Sequence, residues 1–287
     1  MLDPQTSHST NLIDSKQESH SDHREEDHAN EGMSDTVTTT SDCGSSVMTP
    51  DSFDDEVCKD KSSACESENG ETCCKQETLL IFDYDDTLFP TSFLAHHGYR
   101  LDGPDASPDI QAVLDDYSEF VEKSLLEASE HGQVVILTNA ETGWIELTSQ
   151  KFLPRLSELL VTFPLVSARS TYEPLGITSP FQWKLKAFDS VIGDHFASHG
   201  TKSMRNVLSF GDSVHERDAA HQVCSKLSRT VCKSIKFMER PDVAQLIKQH
   251  SLIRECLEQI VEHDGTLDLC IQCQLPGGES SPTAMTC

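Results

Sequence analysis

Five short runs rich in β-branched or aliphatic residues constrain this chain more than anything else in it: Thr78–Asp83, Gln133–Thr138, Thr162–Ser167, Asn206–Phe210 and Thr230–Phe237. Runs of this length without polar alternation belong to strands buried on both faces, as in a parallel sheet. Between them lie stretches with helical character: Pro108–His131, Glu141–Leu160, Pro180–His199, Val214–Leu227 and Pro241–His263. In the last, Val243, Leu246, Ile247, Leu252, Ile253, Leu257, Ile260 and Val261 recur at three- and four-residue steps and mark one apolar face. The first ends in His131-Gly132, which reads as a C-cap glycine just before the second strand. Regular strand–helix alternation predicts an open, mostly parallel α/β sheet. Ligands of such sheets bind beyond the carboxyl ends of the strands, so those ends are where functional residues are to be sought.

The pattern occupies only part of the 287 residues. Residues 1–76 hold 18 acidic and 5 basic side chains, half of the chain's formal charge of −26, and their apolar residues are scattered without period. Such a segment buries too little apolar surface to offset about 1–2 kcal/mol of chain entropy per residue, and it reads as a disordered acidic tail. Its Ser and Thr beside acids, as in Thr49-Pro50-Asp51-Ser52, are candidates for phosphorylation. Residues 77–265 form the expected folded domain, about 190 residues, enough for one core. Residues 266–287 return to Gly, Ser, Pro and Thr and read as a flexible tail. No run of 18 apolar residues exists, and the first residues lack the basic and apolar segments of a secretory signal. A cytoplasmic or nuclear setting follows, with the eleven cysteines as reduced thiols. Cys270-x-x-Cys273 is a lone pair without a partner pair at zinc-finger spacing, and Cys73-Cys74 reads as an accidental pair. The acidic charge disfavours nucleic acid as a partner, and no membrane contact is expected.

The strand ends are chemically loaded. Leu79–Phe82 runs into Asp83, with Asp85, Asp86 and Thr87 close behind. Carboxylates packed this densely repel one another unless a cation is present, and Mg²⁺ with hard oxygen ligands suits them. The second strand ends in Thr138-Asn139, where a hydroxyl and the amides of a following helix start would suit a phosphate oxygen. The fourth ends in Gly211-Asp212, followed by Glu216 and Asp218, and Lys184 and Lys186 precede it. Arg169, at the end of the third strand, reads either as a substrate contact or as half of an ion pair.

Asp83-x-Asp85-x-Thr87-Leu88 after an apolar strand resembles the first motif of the haloacid dehalogenase superfamily. Thr138 resembles its second-motif hydroxyl, Lys184 or Lys186 its third-motif lysine, and Gly211-Asp212 its fourth-motif acid, all in the family's order. Lys184, directly after Trp183, is the preferred lysine. Glu216 departs from the pattern, which commonly has Asp four residues after the first acid. The resemblance covers roughly residues 78–240. It implies a Rossmann-like, three-layer open parallel sheet of about five strands with helices on both faces.

The same resemblance implies a Mg²⁺-dependent phosphatase working through an aspartyl-phosphate. Asp83 would be the nucleophile and Asp85 the acid and base, with Thr138 and Lys184 binding the transferring oxygens. Mg²⁺ would be held by Asp83, Asp85 (through its carbonyl), Asp212 and Glu216. The 55 positions from Asp83 to Thr138 and the 46 from Thr138 to Lys184 leave no room for a large cap domain. An open site, covered at most by Leu88–Pro104, favours a phosphorylated macromolecule such as a phosphoprotein, or a small substrate enclosed by a partner. The alternative is a non-catalytic module that keeps this fold for binding and recruits partners through its acidic tail.

Overall fold

The computed structural model describes residues 46–48, 77–197 and 203–271. Six strands form one all-parallel sheet: β1 (Glu77–Asp83), β2 (Gln133–Thr138), β3 (Leu165–Ser167), β4 (Arg205–Gly211), β5 (Thr230–Lys236) and β6 (Leu267–Ile271). Their order is 3-2-1-4-5-6, the Rossmann-like arrangement. The three-residue segment Ser46–Met48 pairs in parallel with β6 at the outer edge. The rest of the segment before residue 77, expected to be a disordered acidic tail with sites for phosphorylation, and residues 272–287, expected to be a flexible tail, lie outside the described residues.

Among the described residues eight α-helices connect and cover the strands: α1 (Thr91–His96), α2 (Pro108–His131), α3 (Trp144–Phe152), α4 (Pro154–Leu160), α5 (Ala168–Tyr172), α6 (Pro180–Ala197), α7 (Val214–Cys224) and α8 (Val243–Glu262). Strand side chains alternate between two cores, as the pleat requires. Leu80, Phe82, Val134, Ile136, Leu208, Phe210 and Ile235 pack with α2, α3, α4 and α8 on one face. Leu79, Ile81, Val135, Leu137, Val207 and Cys232 pack with α6 and α7 on the other. Phe82 and Phe210 stack across the β1–β4 boundary, ring centroids 4.3 Å apart. No helix among the described residues is long and apolar enough to cross a membrane.

Local structure departs from the sequence reading in several places, each with a physical cause. The stretch Glu141–Leu160 is two helices, because Pro154 has no amide hydrogen to continue α3 and starts α4 instead. Thr162 and Phe163 turn back on the carbonyls of Leu159 and Leu160, so β3 begins only at Leu165. Gly132 is extended (φ 173°) rather than left-handed. Glycine is required there by crowding, since a Cβ would lie 2.2 Å from the carbonyl oxygen of Thr78. The sheet also runs past residue 265. β6 carries Asp268 and is only partly buried, which weakens its apolar signal, but its acid is accommodated by Arg217 and by Ser234 at 2.7 Å.

Among the described residues no cap domain interrupts the sheet. Between β1 and β2 the chain forms α1 and α2, and between β2 and α6 it forms only short helices, β3 and a 3-10 turn.

Candidate metal centre

β1 and β4 are neighbours at the point where strand order reverses, so their carboxyl ends open into a crevice. Asp83 ends β1, and Asp212 follows β4. Glu216 reaches the same place from the first turn of α7. One carboxylate oxygen from each of Asp83, Asp212 and Glu216 lies within 4.8 Å of the others, a group that could hold a metal ion. Asp83 is 7% and Glu216 4% exposed.

Two of these acids are placed by local features. Asp83 is delivered by four apolar residues that anchor β1 in both cores. Glu216 is the N3 residue of a capping box. It accepts from the Ser213 amide at 3.1 Å and from its hydroxyl at 2.5 Å, which fixes its rotamer. Gly211 lets it come so near, because a Cβ there would lie 2.6 Å from Glu216 Cγ.

Lys184 completes the cluster. It projects from α6, is 1% exposed, and its ammonium group pairs with Asp83 and, at 3.0 Å, with Glu216 Oε1. It also donates to the Leu137 carbonyl at 3.3 Å. Burial alone would lower its pKa, but Asp83 and Glu216 overcome that and raise it, so the amine is charged. Burial would raise Glu216 as well, yet Lys184 and Ser213 hold it below the usual carboxylate value. Asp83 goes the other way: burial, reinforced by Glu216 and Asp85, lifts it well above the usual value despite Lys184. Asp212 is pushed from 3.8 to about 7 by burial and then by Glu216 and Asp86. The four groups together explain both directions. Three carboxylates around one ammonium leave an excess of two negative charges when all are ionised, and a divalent cation would cancel it.

Asp85 stands apart from this group. Its Oδ1 accepts from Thr91 Oγ1 at 2.7 Å and Trp144 Nε1 at 3.0 Å, and its Oδ2 accepts from Thr138 Oγ1 at 3.0 Å. The carboxylate faces β2 and α3. Thr138 accepts in turn from the Ala140 amide at 2.9 Å. No helix starts there: α3 begins at Trp144 after a left-handed Gly143 (φ 91°), so the expected helix amides beside Thr138 are those of a loop.

The loop that carries Asp85 is tight and heavily pinned. Asp86 adopts a left-handed φ of 52°, which Asp tolerates better than most residues, and its carboxylate is held by the amide of Ser92 at 2.7 Å and by its hydroxyl. The Thr87 carbonyl accepts from Tyr117 at 3.2 Å and from His250 Nε2 at 2.9 Å, two groups on distant helices.

Comparison with protein-family models, with curated proteins and with solved structures gave no match.

Lys184 and Lys186 are separated by the structure. Lys184 is buried between two acids, whereas Lys186 is exposed. Arg169 is half of a surface pair, bonded to Glu173 at 2.8 Å and 3.7 Å from Glu141. Asp218 lies 3.5 Å from Arg217, whose main partner is Asp268. His96 and His97 are exposed at the end of α1. Sequence reasoning misses three contributors: Ser213, Thr91 and Trp144. Ser213 was readable, since Ser-x-x-Glu ahead of a helix is the capping-box signature. Nothing in the sequence marks Thr91 or Trp144, whose roles depend on where α1 and α3 dock.

Proposed function

We propose that the chain is a Mg²⁺-dependent phosphoester hydrolase of the haloacid dehalogenase type, acting through an aspartyl-phosphate on Asp83. One observation carries the reading: Asp83, Asp212 and Glu216 converge on one buried point beside Lys184, at the carboxyl ends of β1 and β4. The donor set fits magnesium, being all hard oxygens with two uncompensated charges. Asp83, Asp212 and Glu216 would hold the ion, with the Asp85 carbonyl as a further ligand. Bound there, it would supply counter-charge for a phosphate brought against a carboxylate, a repulsion of about 4 kcal/mol per charge pair at 4 Å and an effective dielectric of 20.

The chain's own residues divide the remaining work. Lys184 pairs with Oδ1 of Asp83, which leaves Oδ2 to attack phosphorus in line. As the bond from phosphorus to the leaving oxygen breaks, Asp85 gives that oxygen a proton. Its Oδ2 carries a single hydrogen bond, against two on Oδ1, and is the atom with room for the proton. Asp85 then accepts a proton from the water that opens the aspartyl-phosphate. Thr138 and Lys184 offer an O–H and N–H groups to the transferring oxygens, and Thr138 exchanges its bond to Asp85 for one to phosphate.

The test is phosphate release from a panel of phosphoesters and phosphopeptides, with Mg²⁺ and with EDTA, for wild type and Asp83→Asn. Metal-dependent release abolished by the substitution supports hydrolysis. Equal inertness of both proteins across the panel would favour the non-catalytic binding module instead.

A further inference from the structure

Two of the three groups that hold Asp85, Thr91 and Trp144, also line a cavity of about 460 Å³ between the α1 segment and α3. Phe89, Leu94 and Phe152 are buried residues of its lining, and Tyr99, Leu101 and Trp144 are partly exposed ones. The site therefore has an apolar, aromatic chamber directly beside the residue proposed to protonate the leaving oxygen.

We propose that this cavity receives the leaving alcohol of the phosphate ester and selects one that bears an uncharged ring. The proposal rests on the hydrolytic reading above and specifies its substrate class. The direction follows from Asp85: the leaving oxygen meets the proton on Oδ2, and the substituent it carries extends past the same carboxylate towards Thr91 and Trp144, which hold Oδ1 and line the cavity. The chemistry follows from the lining. Phe89, Tyr99, Trp144 and Phe152 are among the lining residues, and aromatic rings favour another ring in stacked or edge-on contact. The size is ample, since a cavity of about 150 Å³ already accepts benzene. Charge is not solicited: at the mouth Arg100 and Asp102 pair with each other at 3.3 Å.

The wall is preformed. Lys151 on α3 donates to the carbonyls of Arg100, Leu101 and Gly103 at 3.1, 3.0 and 2.6 Å, tying this loop to the helix that carries Trp144. A ligand thus finds the chamber built, with little ordering cost.

The experiment compares kcat/KM for 2-phenylethyl phosphate and ethyl phosphate, two alkyl esters of similar leaving-group chemistry, in the full chain with Mg²⁺. A preference of about 30-fold is expected, the ratio given by roughly 2 kcal/mol of ring burial. Leu101→Trp, which fills the cavity from its mouth, should bring the ratio to about 3-fold or less, and a ratio normalises for any loss of folded protein. Equal kcat/KM for the two esters, with release still dependent on Asp83, overturns the cavity assignment and leaves hydrolysis standing. Absence of Asp83-dependent release from every ester overturns hydrolysis itself. Calorimetric binding of naphthylmethylphosphonate against ethylphosphonate then decides for the cavity. A preference of about tenfold or more that Leu101→Trp removes supports a ring site, and equal binding overturns it. A phosphotyrosine peptide tested beside free phenyl phosphate distinguishes the sources of the ring. Comparable rates assign it to a protein side chain, and a far slower peptide assigns it to a small free ester.

Discussion

Replacing Asp212 with Asn should make the metal-free protein more stable and deaf to magnesium. The unfolded carboxyl ionises near 3.8 and the folded one near 7, so folding of the metal-free protein loses ground as pH rises from about 4 to about 7 and holds that loss above. A displacement of about three units corresponds to roughly 4 kcal/mol as an upper bound. Partial access of Asp212 to water reduces this to about 2 kcal/mol. For a domain of this size that is a rise of roughly 4–8 °C in Tm for Asp212→Asn at pH 8 in EDTA, shrinking to less than half at pH 5. Magnesium reverses the ranking. At about 100 times its Kd it should add about 2.7 kcal/mol to wild type, roughly 5–10 °C, and almost nothing to the variant. Differential scanning calorimetry of both proteins, at both pH values, with EDTA and with Mg²⁺, reads all four quantities. If Asp212→Asn melts below wild type in EDTA at pH 8, or responds to magnesium as strongly, the three acids do not share an excess of charge and the metal-centre argument fails.

Other perturbations probe the same framework. Lys184→Met leaves Asp83 and Glu216 buried without their counter-ion, and should cost about 3–5 kcal/mol in EDTA, or roughly 6–20 °C in Tm; a drop under 3 °C would contradict the pairing. Gly211→Ala should cost about 2 kcal/mol and weaken magnesium binding, because its methyl group would displace Glu216, and a titration calorimeter would show the rise in Kd. Trp144→Phe keeps the ring but removes a donor to Asp85, and kcat for any turned-over ester should fall about tenfold with Tm nearly unchanged. His250 is buried and its pKa is lowered to about 4 by desolvation, so the folded chain refuses a proton that the unfolded chain takes near 6.5. Stability should be full above pH 6.5 and fall by about 3 kcal/mol as pH drops toward 4. In His250→Gln, urea unfolding should lack this share of the acid sensitivity.

The fold was legible because its signals are local. Strands buried on both faces have to be largely apolar, and β1, β2 and β4 announce themselves that way, whereas the edge strand β3 is only half-buried and β5 carries Lys233, Ser234 and Lys236; α2 and α8 repeat with helical period over five turns or more. Partial burial hid β6, and the docking of Ser46–Met48 beside it depends on β6 already being in place. The acids of the site were legible for a related reason. A carboxylate that ends an apolar run needs an explanation wherever it occurs, and Asp83 and Asp212 both do. Even the choice of lysine was partly written in the chain: Lys184 shares a helix face with Ala187 and Phe188, which are buried, while Lys186 lies on the opposite side.

What the sequence could not decide is which of these groups meet. Lys184 and Asp83 are 101 positions apart, and their contact exists because α6 crosses the sheet at one height and no other. The same holds for the division between acids. By sequence Asp85 belongs with Asp83, yet its carboxylate turns to Thr91, Thr138 and Trp144, while Glu216, 133 positions further on than Asp83, takes the place in the cluster. Propensity and periodicity are sums over neighbours in the chain, so they fix elements and their exposed ends. Distances between side chains on different elements are set by the packing of all of them at once, and the pairing of charges at the end of β1 is a property of that packing alone.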